Sequence, residues 1–328
     1  MDRKFFKGII QNFIRLITLL VAVCIIAFFL IRVSPIDPVQ AYVGAGVAVS
    51  PEQRENIESF WGLNQSPVEQ FFSWGSAILQ GDFGVSLIYR RPVLDVLIEK
   101  VSNSIFLMGL SWILSGVIGY VLGLIMGAYR ERLPDRILKT ICLTLTSTPT
   151  FWVGMILLLI FSVGLKWFPI GLSVPIGMMA EEVTFSQKLY HTILPALALS
   201  LTSFSSVALH TRGKVVSALQ SDYVLFAKAR GESPRQIIGN HVIRNTLLPA
   251  ITLQFASFSE LFGGSVLVEQ VFSYPGLGKA AVEAGLRSDV PLLLGVTLFS
   301  ALFVFIGNSA ANMIYGLVDP KIREMNYE

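Results

Sequence analysis

The chain has 328 residues, 53% of them hydrophobic and 14% charged, whereas soluble domains carry about 25% charged residues, so an ordinary water-soluble domain is excluded. A net charge of +3 is too small to mark a nucleic-acid binder. The two cysteines, Cys24 and Cys142, both lie in apolar runs, which excludes a disulfide framework and a thiolate metal cluster.

A membrane-spanning helix needs about 20 mostly apolar residues, and six segments approach or exceed that length: 14–33, 104–128, 140–165, 192–210, 247–268 and 291–318. The first is preceded by Arg3, Lys4, Lys7 and Arg15, as in a secretory signal. It ends in Phe28-Phe29-Leu30-Ile31-Arg32 rather than in small residues, so it reads as an uncleaved first helix. The chain then divides into an amino terminus with helix 1 (1–33), an external segment or cap (34–103) and a five-helix core (104–328). Within the external segment, helical periodicity runs over 51–61 and 68–79, and Gly81-Asp82-Phe83-Gly84 reads as a turn.

Basic residues set the orientation. The amino terminus, the loop after helix 2 (Arg130, Arg132, Arg136, Lys139), the loop after helix 4 (Arg212, Lys214, Lys228, Arg230, Arg235, Arg244) and the tail (Lys321, Arg323) are rich in them. The loops after helices 3 and 5 are not, which places both termini in the cytoplasm.

The loop after helix 4, 212–246, is polar and built from two short helices. Asp222 is placed to cap the first, from Tyr223 to Arg230, and Gly231 to close it in the left-handed conformation. Ser233, Pro234 and Gln236 form the start of a second, with Ser233 and Gln236 at capping-box spacing. Ile237, Ile238 and Val242 give that helix an apolar side. Such a helix can dock into a partner's groove or lie on anionic lipid, and spacing alone leaves both open.

Arg15 and Arg32 sit at the ends of helix 1, so Glu260 is the sole formally charged side chain in the interior of an apolar segment, and a carboxylate there is costly unless paired, protonated or facing water. Gln254 and Ser257 lie on or close to its face, so a polar stripe along a translocation path is the preferred reading; a protonated Glu260 bonded to a neighbouring helix is the other. Gly119, Gly123 and Gly127 form consecutive small-xxx-small steps suited to close helix packing. Asn308 and Asn312 are spaced to bond across helices. Pro149 and Pro249 are expected to kink or begin helices, and Tyr274-Pro275-Gly276-Leu277-Gly278 to form a tight external turn. There is no phosphate-binding G-x-x-x-x-G-K-[ST] loop. His191, His210 and His241 lack metal-ligand spacing, and no set of residues suggests catalysis. Catalytic residues, resident metal and cofactor are therefore all expected to be absent from this chain.

In order and spacing the chain resembles the first permease subunit of the dipeptide, oligopeptide and nickel importers of the ATP-binding-cassette class. The resemblance rests on Ser34-Pro35-Ile36-Asp37-Pro38, Gly62-Leu63 with Pro67, Gly81-Asp82-Phe83-Gly84 and Arg91-Pro92-Val93. It continues through Ile193-Leu194-Pro195, Asp222-Tyr223, Ala227-Lys228-Ala229-Arg230-Gly231 and His241 with Arg244-Asn245. Val271-Phe272-Ser273 leading into the Tyr274 turn, and Asp319-Pro320-Lys321-Ile322-Arg323, complete it. The resemblance implies an all-α membrane protein of six transmembrane helices with the type I importer permease fold, in a bacterial cytoplasmic (inner) membrane.

It also implies that 212–246 is a coupling loop docked on a cytoplasmic ATPase, with Ala227, Gly231, Arg235, His241, Arg244 and Asn245 carrying the contact. The implied partners are a second homologous permease as a heterodimer, two ATP-binding subunits holding ATP and Mg, and an external substrate-binding protein; no nucleic acid is expected. Departures from the family pattern are Leu225-Phe226-Ala227 where a Glu precedes two small residues, Arg244 for a common proline, Leu209 for an arginine and Asn312 for an aspartate. The Lys166-Trp167-Phe168-Pro169 end of helix 3 and the Arg132-Leu133-Pro134-Asp135 turn look like nickel-type members, and Glu260 suits a cation or a peptide amino group. The alternative function is an ion-coupled secondary transporter using Glu260.

Overall fold

The computed structural model describes residues 3–33, 38–43, 49–60, 64–175, 177–178 and 182–318. Residues 34–37 of the Ser34 motif, Gly62-Leu63 and the tail motif from Asp319 lie outside these, as does the Asn312 side chain. Among the described residues the regular structure is helical, with one isolated bridge between Val85 and Pro92. The helices are α1 (Arg3–Val33), α2 (Pro38–Val43), α3 (Pro51–Phe60), α4 (Pro67–Leu79), α5 (Val93–Ala128), α6 (Leu133–Thr146) and α7 (Thr150–Leu157). There follow α8 (Phe185–Leu219), α9 (Asp222–Ala229), α10 (Pro234–Ile237), α11 (Ile243–Ala256), α12 (Phe258–Val271), α13 (Leu277–Leu286) and α14 (Val290–Val318). Two π-helical stretches, Leu158–Gly164 and Ile238–Val242, continue α7 and join α10 to α11.

Helices α1, α5, α8 and α14 are each long and apolar enough to cross a membrane, and two bent pairs bring the number to six if each crosses once. The first pair corrects the straight span expected over 140–165. Helix α6 meets α7 and its continuation at 111°, and the bend falls at Ser147 to Pro149. Pro149 disfavours helical geometry at Thr148, and it stands as the extended residue before α7 (φ −60°, ψ 134°). The hydroxyls of Ser147 and Thr148 donate back to Leu143 O and Thr144 O at 3.1 and 2.7 Å.

The second pair bends by 52° between α11 and α12. Pro249 lies inside α11 rather than at its start. Helix α8 runs from a Thr184–Gln187 capping box for 35 residues, about 52 Å at 1.5 Å per residue, and so outreaches an apolar layer of about 30 Å. It extends through Arg212, which the sequence reading had put in a loop. Helix α5 already begins at Val93, because Asp95, Glu99 and Lys100 in its first turns hide its start from a hydropathy reading.

The chain forms two compact units, residues 1–103 with 275–305 and residues 104–274 with 306–328. In the first, the Gly81 turn has left-handed glycines at 81 and 84 (φ +85° and +79°), and Asp82 Oδ1 accepts from Gly84 N at 2.8 Å. Asp289, fully buried, accepts from Ser86 Oγ at 2.6 Å, Ile88 N at 3.0 Å and Leu292 N at 3.2 Å. Tyr89 donates to Glu283 at 3.1 Å. Burial first, then the Glu283 charge, pushes this phenol up to about 12, so it stays a donor throughout the neutral range. Phe28 of α1 meets Phe71 and Trp74 of α4.

In the second unit α5 packs on α8 through the small-residue steps. Cβ atoms added at Gly119, Gly123 and Gly127 would lie 2.8, 2.5 and 2.4 Å from side-chain atoms of Val207, Thr211 and Val215 respectively. Cys142 is buried among Met126, Phe204 and Ala208.

Candidate functional site

The segment after α8 folds as a small cluster of its own. Val224 and Ala227 of α9 and Ile237 and Val242 of the following helix pack on Val215 and Ala218 of α8. Ala227 is 2% exposed, so a larger side chain there would displace the pair. Ser221, not Asp222, holds the cap position of α9, and it makes no side-chain capping bond there; its hydroxyl is committed to Ala218 O. The turn expected at Gly231 is present, with φ +82° and its amide donating to Lys228 O at 2.9 Å. The Ser233–Gln236 capping box is present in both directions.

His241 Nε2 lies 3.0 Å from Glu232 Oε2, and Asn245 Nδ2 donates to His241 O at 2.7 Å. Thus Ala227, Gly231, His241 and Asn245 each make contacts within the segment, though Gly231 and Asn245 are exposed, as are Arg235 and Arg244. Tyr223, Leu225 and Phe226 of α9 are exposed as well. The π-helical turn over Ile238–Val242 widens the backbone where His241 stands; such turns recur at functional sites. Periodicity, which assumes 3.6 residues per turn, gave no sign of it.

An ion pair that the sequence reading missed anchors this segment. Arg212 Nε and Nη2 donate to the two oxygens of Asp135 at 2.6 and 2.7 Å, and Glu131 N donates to the same carboxylate at 2.7 Å. The Asp135 side chain is 3% exposed. The start of α6 is thereby tied to the end of α8. The signal was one aspartate in the first turn after a basic loop, with no sequence neighbour to point at Arg212.

The three polar residues expected along a path separate. Gln254 is 5% exposed and faces α5, where its Nε2 donates to Trp112 O at 2.7 Å and Ser115 Oγ at 2.8 Å. In return Trp112 Nε1 donates to Gln254 O at 3.0 Å, and Ser257 Oγ donates to the same carbonyl at 3.0 Å. These bonds surround the break between α11 and α12. Glu260, one turn on, is exposed. Asn308 bonds across helices as expected, accepting from Ser259.

Glu269 was overlooked because it fell one residue past the expected end of the span. It is fully buried in α12 and accepts from Ser104 Oγ at 2.6 Å. Beyond it, Tyr274 is fully buried with its hydroxyl 3.2 Å from Thr192 Oγ1. Burial first, and the Glu269 charge after it, pushes Tyr274 up to about 12, so it keeps its proton.

With this geometry in hand, known proteins give a consistent match. Residues 119–324 match the family described as binding-protein-dependent transport system inner membrane component, and residues 5–107 match its N-terminal counterpart. The oligopeptide transport system permease protein AppB of Bacillus subtilis (strain 168) is 31% identical over 315 residues, covering 96% of this chain and 98% of AppB. The glutathione transport system permease protein GsiC of Escherichia coli (strain K12) is 33% identical over 316 residues, covering 96% and 98%. Among solved structures, the inward-facing MetNI methionine ABC transporter superposes with a TM-score of 0.53 at 16% identity, over 68% of this chain and 96% of that one. That likeness establishes the fold as the type I importer permease fold.

Proposed function

The chain belongs to the binding-protein-dependent transport inner membrane components, the multi-pass permease subunits of ATP-binding-cassette importers, and on that premise we propose that it carries short peptides across the cytoplasmic membrane. The premise makes it a transport subunit rather than an enzyme, working with ATPase and substrate-binding partners. It lends no support to an ion-coupled transporter built on Glu260. The relatives named for oligopeptide and for glutathione, itself a tripeptide, favour peptide over nickel as cargo.

The observation that carries the mechanism is the folded segment 212–246. Its buried core fixes α9 and α10 to the end of α8, while Arg235, Arg244, Tyr223, Leu225 and Phe226 are left exposed for a partner. In this reading both termini and the segment face the cytoplasm. The segment docks on one of two ATPase subunits that bind ATP and Mg, and a second homologous permease completes the pore. ATP-driven closure moves the segment, and α8 and α11 with it, to switch access between the two sides. Glu260, with Ser257 beside it, faces the path and meets the amino group of the peptide.

Gly231→Asp tests this. No atom lies within 4 Å of a Cβ at Gly231, so the variant assembles. Its left-handed backbone costs an L-residue about 1–2 kcal/mol, which re-aims α10. In proteoliposomes holding the full complex and its binding protein, ATP hydrolysis is expected to continue while uptake falls at least tenfold. Normal uptake would show that 212–246 is not the coupling element.

A further inference from the structure

The loop after α5 and the start of α10 enclose an open cleft of about 680 Å³. Arg130 and Arg132 of the loop line it together with Ser233, Pro234 and Arg235 at the start of that helix. The loop is held in one shape. Glu131 stands in the left-handed region at φ +64°, which residues with side chains resist, and its amide donates to Asp135 Oδ2 at 2.7 Å. Arg132 N donates to Tyr129 O at 3.0 Å. The same Asp135 carboxylate is gripped by Arg212, so the loop is fixed to α8, the helix that leads into α9 and α10.

Arg132 and Arg235 have no carboxylate at salt-bridge distance among the described residues, and Arg130 meets only the exposed Glu131, at 3.3 Å. Orientation bias accounts for arginines on these loops. It gives no reason for holding two of them on a strained turn beside a third, and strained backbone of this kind clusters at sites where something binds or moves.

The family works with ATPase subunits, and one of them is proposed above to seat on 212–246. We infer that its seat is wider than that segment: the turn over 129–132 is a second contact, and the cleft takes an acidic patch of the same ATPase, whose carboxylates pair with Arg130, Arg132 and Arg235. Continuity commits the cleft to this occupant, because one of its walls is the start of the docking helix itself, within reach of a subunit seated on α10. Guanidiniums without acidic neighbours complete the match, since they take carboxylates in a two-bonded fork. Such a contact ties the ATPase to α5 and α6 as well as to α8, through the Asp135–Arg212 pair. The inference rests on the docking of 212–246 proposed above and deepens it.

The test takes the assembled complex, with fluorescently labelled ATPase subunits, in nanodiscs of phosphatidylcholine alone. It follows their exchange for unlabelled ATPase at about 50 and about 300 mM salt, a span over which surface charges become screened. An exposed ion pair contributes up to about fivefold, and Arg130 is shared with Glu131, so Arg130→Gln/Arg132→Gln should speed exchange about tenfold at the lower salt. At the higher salt the difference should shrink to about threefold, and Arg130→Lys/Arg132→Lys should stay within about threefold of wild type. Equal exchange rates for wild type and the glutamine variant would overturn the inference. So would a difference that appears only once phosphatidylglycerol is added, which would give the cleft to anionic lipid. Phe226→Glu, at a position 66% exposed on α9, separates this from the docking reading. If it speeds exchange while the arginine changes do not, the segment docks and the second contact is wrong; if it exchanges like wild type, the docking reading falls and this inference with it.

Discussion

Replacing Gly123 by alanine adds one methyl group where α5 crosses α8. The new Cβ would lie 2.5 Å from Thr211 Cβ and 2.8 Å from Ala208 O, against ordinary contact from 3.4 Å, so the helices must part by about 0.9 Å. A backbone oxygen cannot turn away, which leaves separation as the only relief and breaks the neighbouring steps at Gly119 and Gly127 together. Overpacking of this kind costs roughly 1–3 kcal/mol, against which alanine regains up to about 1 kcal/mol of helix propensity over glycine. A net loss of about 1 kcal/mol, spread over a chain of 328 residues, corresponds to a fall in Tm of roughly 1.5 °C. Gly109, on the same helix, has nothing within 4 Å of its Cβ, so Gly109→Ala should hold or raise Tm. Thermal unfolding of the two variants in the assembled complex, followed by tryptophan fluorescence, makes the comparison. Equal Tm values would refute the close approach of α5 and α8.

Asp135→Asn should destabilise the complex by about 3–5 kcal/mol, because it leaves the Arg212 guanidinium without its counter-charge; Asp135→Leu combined with Arg212→Met should recover part of that loss in the same melt, and a double variant worse than the single would count against the ion pair. Asp289→Ala removes the acceptor of three donors, so a loss of about 3 kcal/mol is expected, while Tyr89→Phe, which removes one half-exposed bond, should cost about 1 kcal/mol; reversed ranking in denaturant would refute the role of Asp289. Glu260→Gln, at an exposed position, should leave Tm within a degree and reduce peptide uptake severalfold, and unchanged uptake would remove Glu260 from the path.

What the sequence disclosed and what it hid divide along a physical line. Local chemistry was readable: the Ser233–Gln236 box, the left-handed Gly231, the Gly81–Gly84 turn and the four-residue glycine spacing of α5 each depend on residues a few places apart. Pairings across the fold were not, since nothing near Asp135 or Trp112 points to Arg212 or Gln254. Bends were half visible. Pro149 announced an interruption but not a 111° corner, and the break at Ser257 contains no proline or glycine at all. Polar residues within helices misled in both directions, concealing the start of α5 and leaving Glu269 outside its span.

The break at Ser257 makes the second bent pair a jointed lever rather than a rod. A helix interrupted in an apolar layer risks unsatisfied carbonyls, each costing several kcal/mol, and here Trp112 and Ser257 both donate to the Gln254 carbonyl beside the break. The joint is thus cheap to keep open and confined to one place. On one side of it α11 continues into α10 through the π-helical turn; on the other, Glu269 is held by Ser104.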